Sequence, residues 1–340
     1  MAVKAQKISQ GPKVRRLSPQ DLLAVVAIDA ATSGRTRHFY LERRLKAALA
    51  EPELHLQFAA ESRGRLVGYV LARKLEGEFG RTEPALRLEA MAVSPGIQGR
   101  GVGSALLSAL EAGAKKSGIP AIRTQAAWNA QDMMGFLDRA GFQLGHTLVL
   151  DCKVHRNQFT PGEGEKALAP EHRRLSSEID YGMPRQNDFE ALARDHADVR
   201  SLSSDDIPDI VRIDQRVMDR IRRRYIEHMV GEALKDSDVR VSLTARVDGV
   251  VAGYVAARTD YGDFGRPEPV AVLDAIGVDP DYAHQYVGTA LLSQLFVNLE
   301  ALHIERVETI VESENFQLLG FLYKLGFETS QRLNFVKFVT

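Results

Sequence analysis

The sequence predicts an α/β protein built as a tandem duplication, each copy a mixed central β-sheet flanked by helices. Three observations lead there. One residue pattern recurs at a fixed spacing, helical and strand periodicities alternate within each recurrence, and in the first copy a glycine-rich loop joins a strand to an amphipathic helix.

The repeat has a shift of 185 residues, which lays Gly68 over Gly253. VGYVLAR (67–73) then meets AGYVAAR (252–258), and EFGRTEP (78–84) meets DFGRPEP (263–269) without a gap. LEAMAVSP (88–95) meets LDAIGVDP (273–280), VGSALL (102–107) meets VGTALL (287–292), and GFLDRAGF (135–142) meets GFLYKLGF (320–327). Val14 likewise meets Val199, and Tyr40 meets Tyr225, so the copies span 14–155 and 199–340. Between them, 156–198 is rich in charge and turn formers and reads as a surface linker, and 1–13 reads as a frayed tail.

Within the first copy, QDLLAVVAIDAA (20–31) and HFYLERRLKAALA (38–50) place apolar residues at helical spacing, with Ser18 and Asp21 as a capping pair ahead of them. HLQFAAES (55–62), RLVGYVLARKL (65–75) and ALRLEAMAV (85–93) read as strands, the first two joined by a turn at Arg63 and Gly64. A helix from about Val102 to Lys116, a strand over 121–127, a helix before Gly141 and a last strand over 146–154 complete the unit.

Composition bounds the possibilities. The chain has 340 residues, 44% hydrophobic and 26% charged, enough apolar side chain for two buried cores. A formal charge of -1 supplies no field for nucleic acid or an anionic membrane surface, and neither is an expected partner. Cys152 is the only cysteine, which excludes an intrachain disulfide and a cysteine-based zinc cluster; no metal site is expected. The basic N-terminus lacks an apolar signal core and no stretch is apolar enough to span a bilayer, so the expected location is cytoplasmic.

The loop after the third strand reads SPGIQGRGVGSALL and runs straight into a helix. A helix N-terminus offers unpaired N–H groups at the positive end of its dipole, and glycines let the backbone approach a diphosphate closely. A P-loop would need Lys and then Ser or Thr after its last glycine, where Ser104 and Ala105 stand. The dinucleotide fingerprint fails at its third glycine, occupied by Leu106 or Ser104 according to register, and a nicotinamide enzyme fails with it.

The remaining pattern, Gln98-x-x-Gly101-x-Gly103 between strand and helix with Gly141-Phe142 after a later helix, resembles the GNAT acetyltransferase superfamily over almost the whole first copy. The resemblance implies acetyl-CoA as donor and an amine on a small molecule, peptide or protein as acceptor. It implies that the backbone of Met91, Ala92 and Val93 receives the pantetheine arm, and that Gln98, Gly99, Arg100, Gly101, Val102, Gly103 and Ser104 hold the pyrophosphate. Asn129 resembles the family asparagine that contacts that arm.

The second copy departs at this loop: Ala283, His284, Gln285 and Tyr286 replace Gln98, Gly99, Arg100 and Gly101. A tyrosine there fills ligand space and its Cβ opposes a positive φ, so one acetyl-CoA per chain is expected. The two copies are expected to pack as a pseudo-dimer, and whether whole chains pair again stays open.

For the chemistry, Glu89 is the candidate base, two residues before Met91 and on the same strand face in a regular strand, acting through a water. Its counterpart Asp274 survives without the loop, which fits a structural acid equally. Many relatives carry a tyrosine acid four residues before the Gly-Phe pair; Leu137 and Leu322 stand there, so no acid is assigned. Cys152 reads as buried packing, His38 and His146 as structural or exposed, and the basic run RHFYLERRLK as a solvated helix face, with contact to an acidic acceptor as the other reading. Glu78 and Glu83, matched by Asp263 and Glu268, fit either attraction of a cationic amine or a loop kept for folding. A non-catalytic acyl-CoA-binding module is the alternative to an enzyme.

Overall fold

The computed structural model describes residues 11–75, 84–154, 197–219, 221–235, 241–261 and 269–339. The first copy runs β1 (Lys13–Arg16), α1 (Leu22–Ser33), α2 (His38–Ala50), β2 (His55–Ser62), β3 (Arg65–Leu75), β4 (Ala85–Val93), α3 (Val102–Lys116), β5 (Ala121–Ala127), α4 (Gln131–Arg139), β6 (Gln143–Leu144) and β7 (Thr147–Lys153). The second runs β8 (Asp198–Ser201), α5 (Ile207–Met218), α6 (Arg223–Lys235), β9 (Leu243–Val247), β10 (Val250–Tyr261), β11 (Pro269–Val278), α7 (Val287–Ala301), β12 (Arg306–Glu312), α8 (Phe316–Lys324), β13 (Glu328–Thr329) and β14 (Arg332–Phe338).

The helices and strands read from periodicity are present at nearly the expected bounds. The Ser18 N–H donates to Asp21 Oδ2 at 2.8 Å, as the capping pair requires, and Ser203 does the same to Asp206 at 2.9 Å. Arg63 and Gly64 both take left-handed backbone, which matches the twist of the hairpin they close. Lys13 and Asp198 already belong to strands, paired with Glu61 and Arg246, so tail and linker each end one residue sooner than expected. The acids Glu78, Glu83, Asp263 and Glu268 lie outside the described residues, as does most of the linker.

Each module is a seven-stranded mixed sheet, ordered β1-β2-β3-β4-β5-β14-β6 in the first and β13-β7-β12-β11-β10-β9-β8 in the second. Only the β4–β5 and β11–β12 neighbours are parallel in these ladders. In the first sheet α3 covers one face with Leu106, Leu107 and Leu110 against Leu56, Val70, Leu86 and Leu88. Helices α1 and α2 cover the other, with Val25, Ile28, Tyr40 and Leu41 against Tyr69, Leu71, Ala90 and Ala92. Burying both faces of the central strands explains their nearly continuous apolar sequence.

The strand orders show that the repeats exchange their last strands. β14, from the second copy, pairs over its whole length with β5, Arg332 opposite Ala127 and Phe338 opposite Ala121. Reciprocally, β7 pairs with β12, Thr147 opposite Glu312 and Lys153 opposite Arg306. The bounds 14–155 and 199–340 therefore delimit the sequence repeats but not the sheets. Two copies of one fold present two equivalent sites for a last strand, and residues 146–154 of the first copy occupy the site in the second. Phe335 consequently lies in the core under α3, while Cys152 is 3% exposed in the second core, its thiol donating to the Gly326 carbonyl at 2.9 Å.

A buried polar cluster also recurs. Asp29 of α1 accepts from Arg37 at 2.9 and 2.6 Å and from the Tyr69 hydroxyl at 2.6 Å. Asp214, Arg222 and Tyr254 repeat the arrangement, with the tyrosine at 3.0 Å. Burial, then the adjacent aspartate, pushes both phenols well above their ordinary range, so each stays a neutral donor tying the first helix to the third strand.

Phe335→Ala should destabilise the chain by about 3 kcal/mol. Hydrogen exchange should report the loss in β5, some 200 residues away in sequence but opposite Phe335 in the sheet. Loss of protection confined to the second copy would contradict the exchange.

Candidate functional site

The centre of the first sheet holds a gap. β4 and β5 pair only at Leu86 with Ile122 and Arg87 with Arg123, although β4 continues to Val93 and β5 to Ala127. Beyond those pairs the strands part, and at the root of the gap the Thr124 hydroxyl donates to the Leu88 carbonyl at 3.4 Å. A β-bulge accompanies the parting: Leu71 pairs with Ala90 and Ala72 with Leu88, so Glu89 is the extra residue. The second sheet repeats the parting after Ala271–Val307 and Val272–Glu308, and the bulge at Asp274.

The gap opens onto the glycine loop and the N-terminus of α3. Gly99 and Gly101 have φ of +74° and +80°, conformations that glycine adopts freely, and a Cβ at either would meet nothing within 4 Å. Gln98, Gly99, Arg100, Gly101 and Ser104 are exposed. The open loop, the helix terminus and the parted strands together fit a ligand that has an extended amide arm and a diphosphate. The Gln98 side-chain amide donates to the Val93 carbonyl at 3.0 Å and so braces the loop. Val102 is buried in the core, and a Cβ on Gly103 would meet the Phe136 ring at 3.1 Å and Met91 Cε at 3.3 Å. These two can offer a ligand only backbone groups, and Phe136, not foreseen from the sequence, walls that side.

The second loop keeps the same backbone with different residues. His284 and Tyr286 both have φ of 62°, and Tyr286 begins α7 as Gly101 begins α3. The positive φ therefore survives in non-glycine residues: the tyrosine disfavours this conformation without abolishing it. The reason lies beside the loop, where Asp279, 1% exposed, is ion-paired with Arg212 and Arg216 of α5, and Arg216 reaches Asp281 at 2.8 Å. Those pairs tie the loop to the helix and hold a backbone that its own side chains disfavour. Ala27 and Ala31 stand at the two arginine positions in the first copy. What the second loop lacks is open space, since the imidazole of His284 and the half-exposed ring of Tyr286 stand where the first copy has hydrogen atoms.

Glu89 is 2% exposed and lies between Arg44 of α2, at 3.4 Å, and Arg73 of β3, at 3.6 Å. The bulge separates it from Met91: Met91 packs with the α3-side cluster, while Glu89 meets Arg44 on the opposite face. The same-face placement expected of a regular strand is thus corrected. Arg258 and Asp274 repeat the arginine–acid pair at 2.8 Å, whereas Met229 stands at the Arg44 position.

Ala92 is buried and Val93 half-buried at the rim of the gap. Asn129 is exposed beyond the end of β5, one residue before Ala130 at the start of α4. Asn315, by contrast, caps α8, accepting from the Leu318 N–H at 3.1 Å, so the two asparagines are not equivalents. Leu137 is fully buried in the first core and Tyr323 is exposed. His38 is half-buried at the start of α2 beside Glu42, and His146 lines a cavity between the modules. Among the described residues no cluster of three His, Cys, Asp or Glu side chains is placed to hold a metal ion, and no helix is long and apolar enough to cross a membrane.

Tyr286→Gly should raise stability by about 0.5 to 1 kcal/mol, the relief of a left-handed tyrosine less the entropy returned to the unfolded chain. Urea unfolding measures it, and a loss of stability would mean that the tyrosine side chain contributes more than its backbone costs.

The comparisons with known proteins agree with this geometry. The model of the Acetyltransferase (GNAT) family matches residues 23–142 and again 206–327. Among solved structures, a tandem GNAT protein from the clavulanic acid biosynthesis pathway superposes with a TM-score of 0.62 at 16% identity, over 97% of this chain and 99% of that one. A GCN5-related glucosamine N-acetyltransferase region in a fungal multi-domain GH3 β-N-acetylglucosaminidase gives 0.61 at 15% identity, over 96% of this chain and 38% of that one. A GCN5-related N-acetyltransferase from Sphaerobacter thermophilus gives 0.56 at 14% identity, over 96% of both chains. No curated protein matches. At these identities the structures speak for the fold, and the twofold family match, covering most of the chain, decides the rest: this protein belongs to the GNAT acetyltransferase family as a tandem, two-module member.

Proposed function

We propose that the chain transfers the acetyl group of acetyl-CoA to a primary amine, holding one donor molecule per chain in the first module. The observation that carries this reading is the gap between β4 and β5 running into an open glycine loop at the N-terminus of α3. The β4 edge at Met91, Ala92 and Val93 offers peptide groups to the pantetheine amides as a neighbouring strand would. Backbone N–H groups from Gly99 to Ser104, with the Ser104 hydroxyl and Arg100, meet the diphosphate at the positive end of the helix. Gln98 supports them by bracing the loop, and Asn129 flanks the arm at the end of β5.

The amine nitrogen attacks the thioester carbonyl directly. The C–N bond forms, the C–S bond breaks, and the thiolate takes a proton from solvent, since Leu137 leaves no side-chain acid at the expected place. Glu89 accepts the amine proton through a water. With Cys152 as the only thiol and no disulfide available, the reading places the protein in the cytoplasm.

Titration calorimetry should find one acetyl-CoA per chain, and Gly101→Tyr should weaken it by about tenfold or more, as expected when a side chain fills phosphate space. Two equivalent sites, or binding unchanged by that substitution, would overturn the loop assignment. Glu89→Gln should lower turnover about a hundredfold with donor affinity intact. Because Glu89 also braces Arg44 and Arg73, a melting curve must accompany the rate; unchanged turnover in a folded variant removes it from the mechanism.

The burial of Glu89 between two arginines and the leucine at 137 favour a second reading, a non-catalytic acyl-CoA-binding module. Acetyl-CoA binding without CoA release across an amine panel would select it.

A further inference from the structure

Between the modules lies a cavity of about 150 Å³, walled by β4 and β5 of the first copy, β12 and β14 of the second, and the turn before β7. Among the described residues its charged lining is three arginines, Arg87, Arg123 and Arg332, against one carboxylate, Glu312, with His146 alongside. Arg87 and Arg332 are each 6% exposed. All four charged side chains are engaged by the protein, which fixes their direction, and each guanidinium keeps its positive charge whatever bonds it makes.

Gln125 adds a separate observation. Arg332 Nε donates to Gln125 Oε1 at 3.2 Å, and because arginine can only donate, the amide orientation is set. Gln125 Nε2 is then a buried donor with no hydrogen-bond partner among the described residues, on a side chain 94% buried that lines the cavity. A buried donor in this position is satisfied by an acceptor that enters. The lining is not part of the shared fold. At the matching positions in the second copy stand Val272 for Arg87, Glu308 for Arg123 and Ile310 for Gln125, and Thr147 of the exchanged strand stands for Arg332.

Leu88 and Thr124, the residues bridged at the root of the gap, also line this cavity. Leu88 lies three positions before Met91 along β4, a reach of roughly 10 Å, so one small molecule can have its amine in the gap and its far end in the cavity. Resting on the acetyl-transfer reading, we propose that the acceptor is a small primary amine that also carries a carboxylate, which the cavity binds through Gln125, Arg332 and the neighbouring arginines. The second module, whose loop has lost its open space, then acts by contributing Arg332 on β14 to the acceptor pocket of the first.

The test compares CoA release from 4-aminobutanoate and 5-aminopentanoate with release from their uncarboxylated counterparts, propylamine and butylamine. The carboxylated amine should have a kcat/KM at least tenfold higher in each pair. In Arg332→Met and in Gln125→Leu that ratio should fall toward one through KM, with acetyl-CoA affinity and the melting curve reporting that each variant is folded. CoA release at equal kcat/KM within the pairs by the unmodified chain overturns the carboxylate proposal and leaves the transferase reading standing. Acetyl-CoA binding with no CoA release from any amine overturns the transferase reading and this proposal with it.

Discussion

The strand β5 has one secure neighbour, and that neighbour comes from the other half of the chain. Toward β4 it is paired at two positions only, while β14 pairs with it along its full length. A strand left with two pairs on one edge and none on the other would not hold its register. The gap that forms the candidate site can stand open because β14 holds β5 from behind. The second sheet has the mirror arrangement, β7 supporting β12 beside the same parting. Exchange of last strands thus links the two cores and makes the site of the first module depend on residues beyond 330.

The two loops show how a backbone outlives the residues suited to it. Gly99 and Gly101 adopt left-handed conformations at little cost, and His284 and Tyr286 adopt them at a cost offset by the ion pairs of Asp279 and Asp281 with α5. The difference between modules is therefore not the path of the chain but what stands in the space beside it. The same reasoning applies to the acids. Glu89 and Asp274 both occupy bulges and both meet an arginine on the preceding strand, which gives the acid a structural reason to persist in either module.

Much of this was legible in the sequence because it rests on local periodicity. The helices, the strands and the loop leading into α3 follow from apolar spacing and glycine placement, and the contrast between Gly101 and Tyr286 singled out the loop with open space. The placement of Glu89 was not legible. A period of two puts it on one face with Met91, and a bulge, which depends on how β3 pairs with β4, turns them apart. The Gln98 brace on Val93 was not legible for a related reason: a polar side chain in an anion loop can face a ligand or the loop's own carbonyls, and sequence alone does not show that bond. The pair Arg73–Arg258 was visible as a repeat, but its meaning lay in contacts between strands.

By itself the sequence determined that the chain is a duplicated α/β unit and which copy holds the glycine loop, since both are properties of short segments or of one segment against its copy. Only the tertiary structure decided which last strand completes which sheet, because β7 and β14 descend from the same segment and fit either place by pattern. It also decided that Gln125 and Arg332, 207 residues apart, line one cavity. Pairing partners are chosen by the geometry of chain closure, which no local pattern encodes.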